Sequence, residues 1–159
     1  MSNKVTNVVF AGIGGQGVLK ASDILADTAF ASGIDIKKAE VHGMSQRGGS
    51  VSSDVRFGEG VLSPMVAKGE AHYLVVFDKT QVEPNEACLS EKGKLITVDL
   101  LDISKLKSPK CVNVALLGVL SNFIDLDVDV LKDSIKANLA EKLHEMNMAA
   151  FEYGQSIKL

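Results

Sequence analysis

The chain has 159 residues, of which 46% are hydrophobic, and its formal net charge is −3 at pH 7. This length and composition are typical of one globular domain, so we expect a single domain over residues 1–159. With this mild acidity the sequence shows no sign of the basic surface that a nucleic-acid-binding protein presents.

The cysteine content and the apolar segments bear on metal binding and on the cellular location of the chain. Cys88 and Cys111 are the only cysteines, whereas an iron–sulfur cluster usually needs four thiolates and a structural zinc site four Cys or His ligands. We therefore expect no metal site on this chain alone. The longest nearly apolar stretch, residues 112–124, is shorter than the roughly 20 residues of a membrane-spanning helix. These features predict a cytoplasmic protein that contacts neither membranes nor nucleic acids.

The first forty residues predict a Rossmann-like βαβ unit. Residues 7–11 (NVVFA) form a short apolar run typical of a buried strand. Residues 18–32 carry apolar side chains at helical spacing, and Gly33 is placed to end that helix with a left-handed residue. Residues 34–41 predict a second strand. Successive strands joined by a helix are usually parallel with a right-handed crossover, so we expect these two strands to be neighbours.

The middle and the end of the chain predict more strands and helices around the same sheet. Residues 50–57 alternate apolar and polar side chains as a strand does, and glycines at 58 and 60 predict a turn into a partner strand at 61–63, an inserted β-hairpin. Further strands are predicted at 72–77 and 94–98, a short helix at 84–89, and helical spacing at 114–123 and 131–154. The pattern predicts an α/β fold, a three-layer α/β/α sandwich with a mixed, largely parallel sheet.

A glycine-rich loop, AGIGGQG, joins the first strand to the first helix. It places G-x-G-x-x-G at Gly12, Gly14 and Gly17, and such a loop lets the backbone and the helix N-terminus approach a phosphate. Three interpretations are open at this point. The glycines could only make a tight turn, they could meet a phosphate-bearing ligand or a partner's cofactor, or they could bind NAD or FAD. A dinucleotide site would use an acidic residue near the end of the second strand, where Glu40 follows Gly17 by 23 residues.

A second glycine-rich loop, GMSQRGG at residues 43–49, follows the second strand. The planar guanidinium of Arg47 suits a carboxylate or a phosphate, and the alternative is a loop arginine tied to Glu40 or to carbonyls. Glu40 could bind a ligand hydroxyl, orient Arg47 or form a structural ion pair. Loops that follow parallel strands meet at one edge of the sheet. The candidate cofactor-binding residues are Gly12, Gly14, Gly15, Gln16, Gly17, Ser45, Gln46, Arg47, Gly48 and Gly49, and the catalytic candidates are Arg47 and Glu40.

Several motifs together resemble one protein family. The segments EVHGMSQRGGSV at 40–51 and AGIGGQGVLKASDIL at 11–25 are similar to the gamma-type subunit of 2-oxoacid:ferredoxin oxidoreductases. The segments at 56–65, 69–71, 113–118 and 147–154 are similar as well. Within the family the motifs most resemble the indolepyruvate branch, in which the small subunit is called beta. The resemblance runs over nearly the whole chain and is more specific than G-x-G-x-x-G alone.

The resemblance implies a reaction that this chain does not perform alone. In the family a 2-oxoacid, here an arylpyruvate, is oxidatively decarboxylated, its acyl group passes to coenzyme A, and its electrons pass to ferredoxin. Thiamine diphosphate and iron–sulfur clusters perform these steps, and in the indolepyruvate enzymes both belong to the larger subunit. The resemblance therefore implies a cytoplasmic subunit from anaerobic metabolism that binds no cofactor alone. It would complete the active site of that larger subunit, which also contacts ferredoxin.

Two alternatives remain open from the sequence. The chain could be the gamma subunit of a pyruvate, 2-oxoisovalerate or 2-oxoglutarate enzyme of the same family, or a stand-alone dinucleotide-binding module outside it. One departure from the family concerns residues 99–112, a connection that the resemblance leads us to expect to be longer. This shortening predicts a smaller surface there.

Overall fold

Five strands form one mixed sheet in the computed structural model, which describes residues 5–42 and 49–159, with only the backbone of His42. The strands are β1 (Val5–Ile13), β2 (Asp35–His42), β3 (Ser50–Gly58), β4 (Ala71–Val76) and β5 (Leu89–Thr97). Their order across the sheet is β2-β3-β1-β4-β5. β3 is antiparallel to both of its neighbours, and β1, β4 and β5 are parallel to one another. Four strands therefore share one direction, which confirms the mixed, largely parallel α/β sheet.

β1 and β2 are parallel in direction but are not neighbours, so that part of the prediction was wrong. β3 lies between them and pairs with β1 along its whole length and with β2 over residues 51–58, Val55 facing Val8 of β1 and Lys38 of β2. Two strand spacings, about 9–10 Å, therefore separate β1 from β2. The predicted partner strand at 61–63 is also wrong: both edges of β3 are already occupied, so no free edge remains for it.

One face of the sheet carries the four longer helices of the described residues. They are α1 (Val18–Ala31), α3 (Val112–Ser121), α4 (Val128–Ala137) and α5 (His144–Gln155). Phe10 of β1 and Val75 of β4 contribute to the core beneath them. α3 is buried at every residue from Asn113 to Ser121 because it lies between the sheet and α5. None of the helices in this part of the chain is long and apolar enough to cross a membrane.

The predicted helical region at 131–154 is two helices. α4 begins at the Asp127 cap, whose carboxylate accepts from the backbone N–H groups of Asp129 and Val130. It ends at Ala137, and Ala140 has an extended backbone before α5 begins. Uninterrupted helical spacing of apolar residues therefore did not reveal the break, because each helix buries apolar residues of its own, α4 mainly against α1 and α5 mainly against α3.

The opposite face of the sheet has a thinner outer layer. Its buried residues include Val9 and Leu74, and they are covered by the short helix α2 (Val82–Asn85) and by residues 59–70. Side chains of β1, β2 and β3 hold the 59–70 segment through four hydrogen bonds. Two carboxylates accept from its backbone N–H groups: Asp35 Oδ2 from Val61 N (2.9 Å) and Asp54 Oδ2 from Val66 N (2.8 Å). Two side chains donate to its carbonyl oxygens: Arg56 Nη1 to Ser63 O (2.7 Å) and Asn7 Nδ2 to Glu70 O (2.9 Å). Polar side chains on the sheet thus replace the predicted strand pairing.

Candidate functional site

The glycines that join β1 to α1 are required by conformation and packing. Gly15 and Gly17 have φ angles of 92° and 83°, which favour glycine, and Gly17 caps α1. A Cβ at Gly17 would also meet Asn113 Nδ2 at 2.5 Å. At Gly12 a Cβ would lie 2.7 Å from Val18 Cγ2 and 2.9 Å from Phe77 Cβ. The tight-turn interpretation therefore accounts for these three glycines without a ligand.

The side chain of Gln16 is used by the protein itself. Its Oε1 accepts from the backbone N–H of Ile13 at 2.7 Å, and its Nε2 donates to Asp78 Oδ2 at 3.0 Å. Asp78 follows β4 and also accepts from the N–H and the hydroxyl of Thr80. These bonds to Thr80, and the weaker one to Gln16, hold the pKa of the Asp78 carboxyl below its usual value. Gln16, a candidate ligand residue from the sequence, thus acts first as a brace of the turn.

The two glycine-rich loops meet at the carboxyl end of the sheet. The N–H of Gly14 donates to the carbonyl oxygen of Gly49 at 2.9 Å. Gly49 belongs to the second loop, so the first loop and the end of the second are in direct contact. The remaining candidates of that loop, Ser45, Gln46, Arg47 and Gly48, lie outside the described residues, and their roles stay predictions.

The N-termini of two helices lie beside the glycine-rich turn of residues 12–17, called the glycine turn below. Asn113, in the first turn of α3, donates from Nδ2 to the carbonyl oxygen of Gly17 at 3.3 Å, which gives this buried amide a structural role. Neither α1 nor α3 has an acidic residue in its first turn. The positive ends of both helix dipoles therefore act on this region without a carboxylate of their own to neutralise them.

A depression of about 330 Å³ opens at the start of α1. Its lining is Ile13, Gly14, Gly15, Gly17, Val18, Leu19, Lys20 and Val51. The first N–H groups of a helix have no partner within the helix, and here they border the depression. Exposed Lys20 adds a positive charge, with its Nζ 3.1 Å from Asn138 O. This combination suits a phosphate or a carboxylate. Neither Lys20 nor Val51 was among the candidate residues predicted from the sequence. Val51 reaches the depression through pairing within the sheet.

A second depression of about 230 Å³ lies on the α2 side of the sheet. It is lined by Val41, Ser50, Val51, Ser52, Gln81, Pro84 and Asn85. Val51, near the start of β3, borders both depressions. Asp78 separates β4 from the 79–85 segment and also binds Gln16, so one carboxylate connects the glycine turn with the wall of the second depression.

Glu40 is engaged in an ion pair within its own strand. Its carboxylate pairs with Lys38, whose Nζ also lies 2.8 Å from Asp23 of α1. Burial acts to lower the pKa of Lys38, but hydrogen bonds and charges from Asp23 and Glu40 outweigh it and raise the pKa. The ion-pair alternative thus has direct support, and β2 is two strands away from β1. A ribose-binding role, which needs the acidic residue beside the glycine turn, is disfavoured.

The two thiols are poorly suited to redox or metal chemistry. Burial, with a smaller contribution from the charge of Asp54, raises the pKa of Cys88 to about 11. Burial also raises the pKa of Cys111. Both thiols are therefore protonated near neutral pH. They react poorly, because the thiolate is the reactive form. Residues 5–42 and 49–159 contain no group of three or more His, Cys, Asp or Glu placed to hold a metal ion.

Comparison with known proteins identifies relatives over nearly the whole chain. The family model described as pyruvate ferredoxin/flavodoxin oxidoreductase matches residues 7–157. An indolepyruvate oxidoreductase subunit, IorB, of Thermococcus kodakarensis is 31% identical over 191 residues and covers 95% of each chain. Because 191 exceeds the 159 residues of this chain, the relative has insertions within the aligned region. This agrees with the expectation of a shortened chain, and its placement at 99–112 stays a prediction.

Two solved structures share the fold. The pyruvate oxidoreductase subunit PORC of Thermotoga maritima has a TM-score of 0.81 at 19% identity, covering 98% of this chain and 97% of that one. The 2-oxoglutarate:ferredoxin oxidoreductase of Magnetococcus marinus, with 2-oxoglutarate, coenzyme A and succinyl-CoA bound, has a TM-score of 0.81 at 17% identity. There the match covers 98% of this chain but 31% of the longer one. The same fold thus occurs both as a separate subunit and within a longer chain.

Proposed function

The chain belongs to the pyruvate ferredoxin/flavodoxin oxidoreductase family, as a small subunit of a 2-oxoacid:ferredoxin oxidoreductase, and from that premise we propose that its enzyme acts on indolepyruvate or another arylpyruvate. The match to an indolepyruvate oxidoreductase subunit along 95% of both chains supports this substrate class. Pyruvate, 2-oxoisovalerate and 2-oxoglutarate are the alternative substrates within the family. We further propose that residues 1–159 act as one domain in the cytoplasm.

The larger subunit holds the thiamine diphosphate and the iron–sulfur clusters and contacts ferredoxin. This chain has two cysteines, fewer than a cluster requires, and their thiols are protonated near neutral pH. Its contribution is therefore a surface that completes an active site whose reactive groups belong to the partner. It is inactive alone.

The observation that carries the role of this surface is the contact between the two glycine-rich loops. Gly14 N–H bonds to Gly49 O, and the depression beside α1 opens next to that contact. We place a phosphate group of coenzyme A in this depression, against the N–H groups at the start of α1 and near Lys20. Coenzyme A supplies the thiol that accepts the acyl group. The solved 2-oxoglutarate enzyme with coenzyme A bound is consistent with such a ligand in a relative of the same fold.

Arg47 remains the main candidate for a further contact. It precedes Gly49 by two residues in the chain, and its guanidinium could bind a phosphate or a substrate carboxylate. Ser45, Gln46 and Gly48 are proposed to shape the same surface. Glu40 is proposed with less support, since its carboxylate is paired with Lys38.

The first experiment is an affinity purification of the tagged full chain from its native cells, grown without oxygen. We expect a larger protein to co-purify, with iron and thiamine diphosphate in the eluate. A panel of 2-oxoacids with a viologen acceptor then identifies the substrate, and indolepyruvate should give the highest kcat/KM. Recovery of the chain alone, without iron, would contradict the subunit proposal and direct attention to the dinucleotide-binding alternative.

The coenzyme A surface has its own test in the reconstituted complex. Lys20→Glu places a negative charge in the depression, while an acidic residue in the first turn of α1 is favourable to the helix. We expect KM for coenzyme A to rise about tenfold, with only a small loss of thermal stability from the exposed hydrogen bond between Lys20 Nζ and Asn138 O. Lys68→Glu makes the same charge change at an exposed position outside the depression and should leave KM unchanged. Equal KM values for the two variants would contradict this ligand site.

A further inference from the structure

Gln16 connects two loops through a side chain whose oxygen and nitrogen both have protein partners. Its oxygen accepts from Ile13 N at 2.7 Å, within the turn, and its nitrogen reaches Asp78 Oδ2 at 3.0 Å, after β4. The two partners are 65 residues apart in the chain. A side chain held at both its oxygen and its nitrogen in this way fixes backbone position, although these two bonds use only one of its two N–H donors and one of its two oxygen lone pairs.

Neighbouring residues leave space for the Gln16 side chain and hold Asp78 in place. The side-chain oxygen of Gln16 would lie 2.9 Å from a Cβ at Gly12, so a larger residue at Gly12 would displace the amide. Asp78 is held on its other side, since its Oδ1 accepts from Thr80 N at 3.0 Å and from Thr80 Oγ1 at 2.6 Å. One carboxylate oxygen is thus dedicated to Thr80 and the other to Gln16.

We propose that Gln16 and Asp78 form a positioning pair that sets the direction of the glycine turn, and with it the N–H groups at the start of α1, toward the phosphate-bearing ligand. The inference rests on the proposed function of the depression and assigns Gln16 a role different from ligand binding. The turn leads directly into Gly17 and Val18, which line the depression. A displacement of the turn therefore changes the orientation of the N–H groups there, and small displacements at a binding surface are costly.

The geometry permits a test in which the donor and the acceptor of the hydrogen bond between Gln16 and Asp78 are exchanged. Gln16→Glu keeps an oxygen for Ile13 N but sets two carboxylates against each other. Asp78→Asn keeps an oxygen for Thr80 and turns an amide nitrogen toward Gln16, where it meets another amide nitrogen. In the double variant the new amide donates to the new carboxylate, so the connection is restored with donor and acceptor exchanged.

The variants are compared in the reconstituted complex with its larger subunit. We expect each single variant to raise KM for coenzyme A about tenfold at nearly unchanged kcat, as the loss of one charge-assisted hydrogen bond predicts. The double variant should return KM to within about threefold of the wild type. Asn122→Asp is the matched control: it removes an amide that donates to Gln155 O and Ile157 O, so it should lower Tm and leave KM unchanged.

The outcomes separate this inference from the function on which it rests. If Lys20→Glu raises KM while Gln16→Glu lowers only Tm, the ligand surface stands and the positioning role is wrong. If the double variant fails to restore KM, the pairing of Gln16 with Asp78 does not carry the effect, and the inference is also wrong. If Lys20→Glu and both single variants leave KM unchanged, the coenzyme A surface and the positioning role fail together.

Discussion

Single polar residues of the sheet decide how its thinner face is covered, and Asp54 is the clearest example. This half-buried carboxylate accepts from Val66 N at 2.8 Å and so holds the 59–70 segment. Burial raises the pKa of the Asp54 carboxyl even though the hydrogen bond from Val66 acts in the opposite direction. The ionised form is therefore less favourable in the folded chain than in the unfolded one.

Asp54→Asn should consequently stabilise the protein near neutral pH. Between the unfolded pKa, about 3.9, and the raised folded pKa, the folded state binds more protons, so the free energy of unfolding decreases as pH rises through this range. The amide keeps an oxygen for Val66 and removes the charge. We expect a gain of about 0.5 kcal/mol at pH 7, which allows for solvent screening, and no gain below pH about 4.

Urea unfolding at pH 3.5 and pH 7 measures this difference. Glu91→Gln removes an exposed carboxylate from β5 and should change the stability little at either pH. Asp54→Asn should also speed alkylation of Cys88, because the charge of Asp54 is the second cause of that thiol's raised pKa. A destabilised variant at pH 7 would show that the charge itself supports the 59–70 segment.

At the scale of elements, the contact between α3 and α5 depends on two glycines. A Cβ at Gly154 would collide with the carbonyl oxygen of Ala115, and one at Gly118 with the carbonyl oxygen of Phe151. Both obstacles are backbone atoms, so a change of side-chain rotamer cannot relieve them. The two helices approach this closely because neither glycine has a side chain.

Gly154→Ala should therefore destabilise the protein although alanine favours helix. Overpacking costs about 1–3 kcal/mol, and the gain in helix propensity offsets up to about 1 kcal/mol of it. We expect the urea midpoint to fall, and Glu152→Ala, at an exposed position of α5, to change it far less. An unchanged midpoint for Gly154→Ala would mean that α5 can move away from α3 at no cost.

The strands show what could be predicted from the sequence and what could not. The alternation at 50–57 predicted β3, and the apolar runs predicted β1 and β4, because burial of one or both faces leaves a local pattern. The position of β3 between β1 and β2 left no such pattern, since strand pairing is decided by which edges are free. The same limit applies to the site: the glycines were visible in the sequence, whereas the bonds from Gln16 to Asp78 and from Gly14 to Gly49 connect distant segments.

For the whole molecule, this strand order separates a dinucleotide-binding module from the proposed subunit. A dinucleotide site needs an acidic residue on the strand beside the glycine turn and free N–H groups in the turn. Here Glu40 lies on β2, about 9–10 Å from β1 across β3, and is paired with Lys38. The N–H of Gly14 is bonded to Gly49 O. We therefore expect calorimetric titration of the isolated full chain with NAD to show no saturable binding. Lys38→Ala, which frees Glu40, should not create any. Saturable 1:1 binding that Lys20→Glu weakens would contradict this prediction and make the chain a nucleotide-binding protein in its own right.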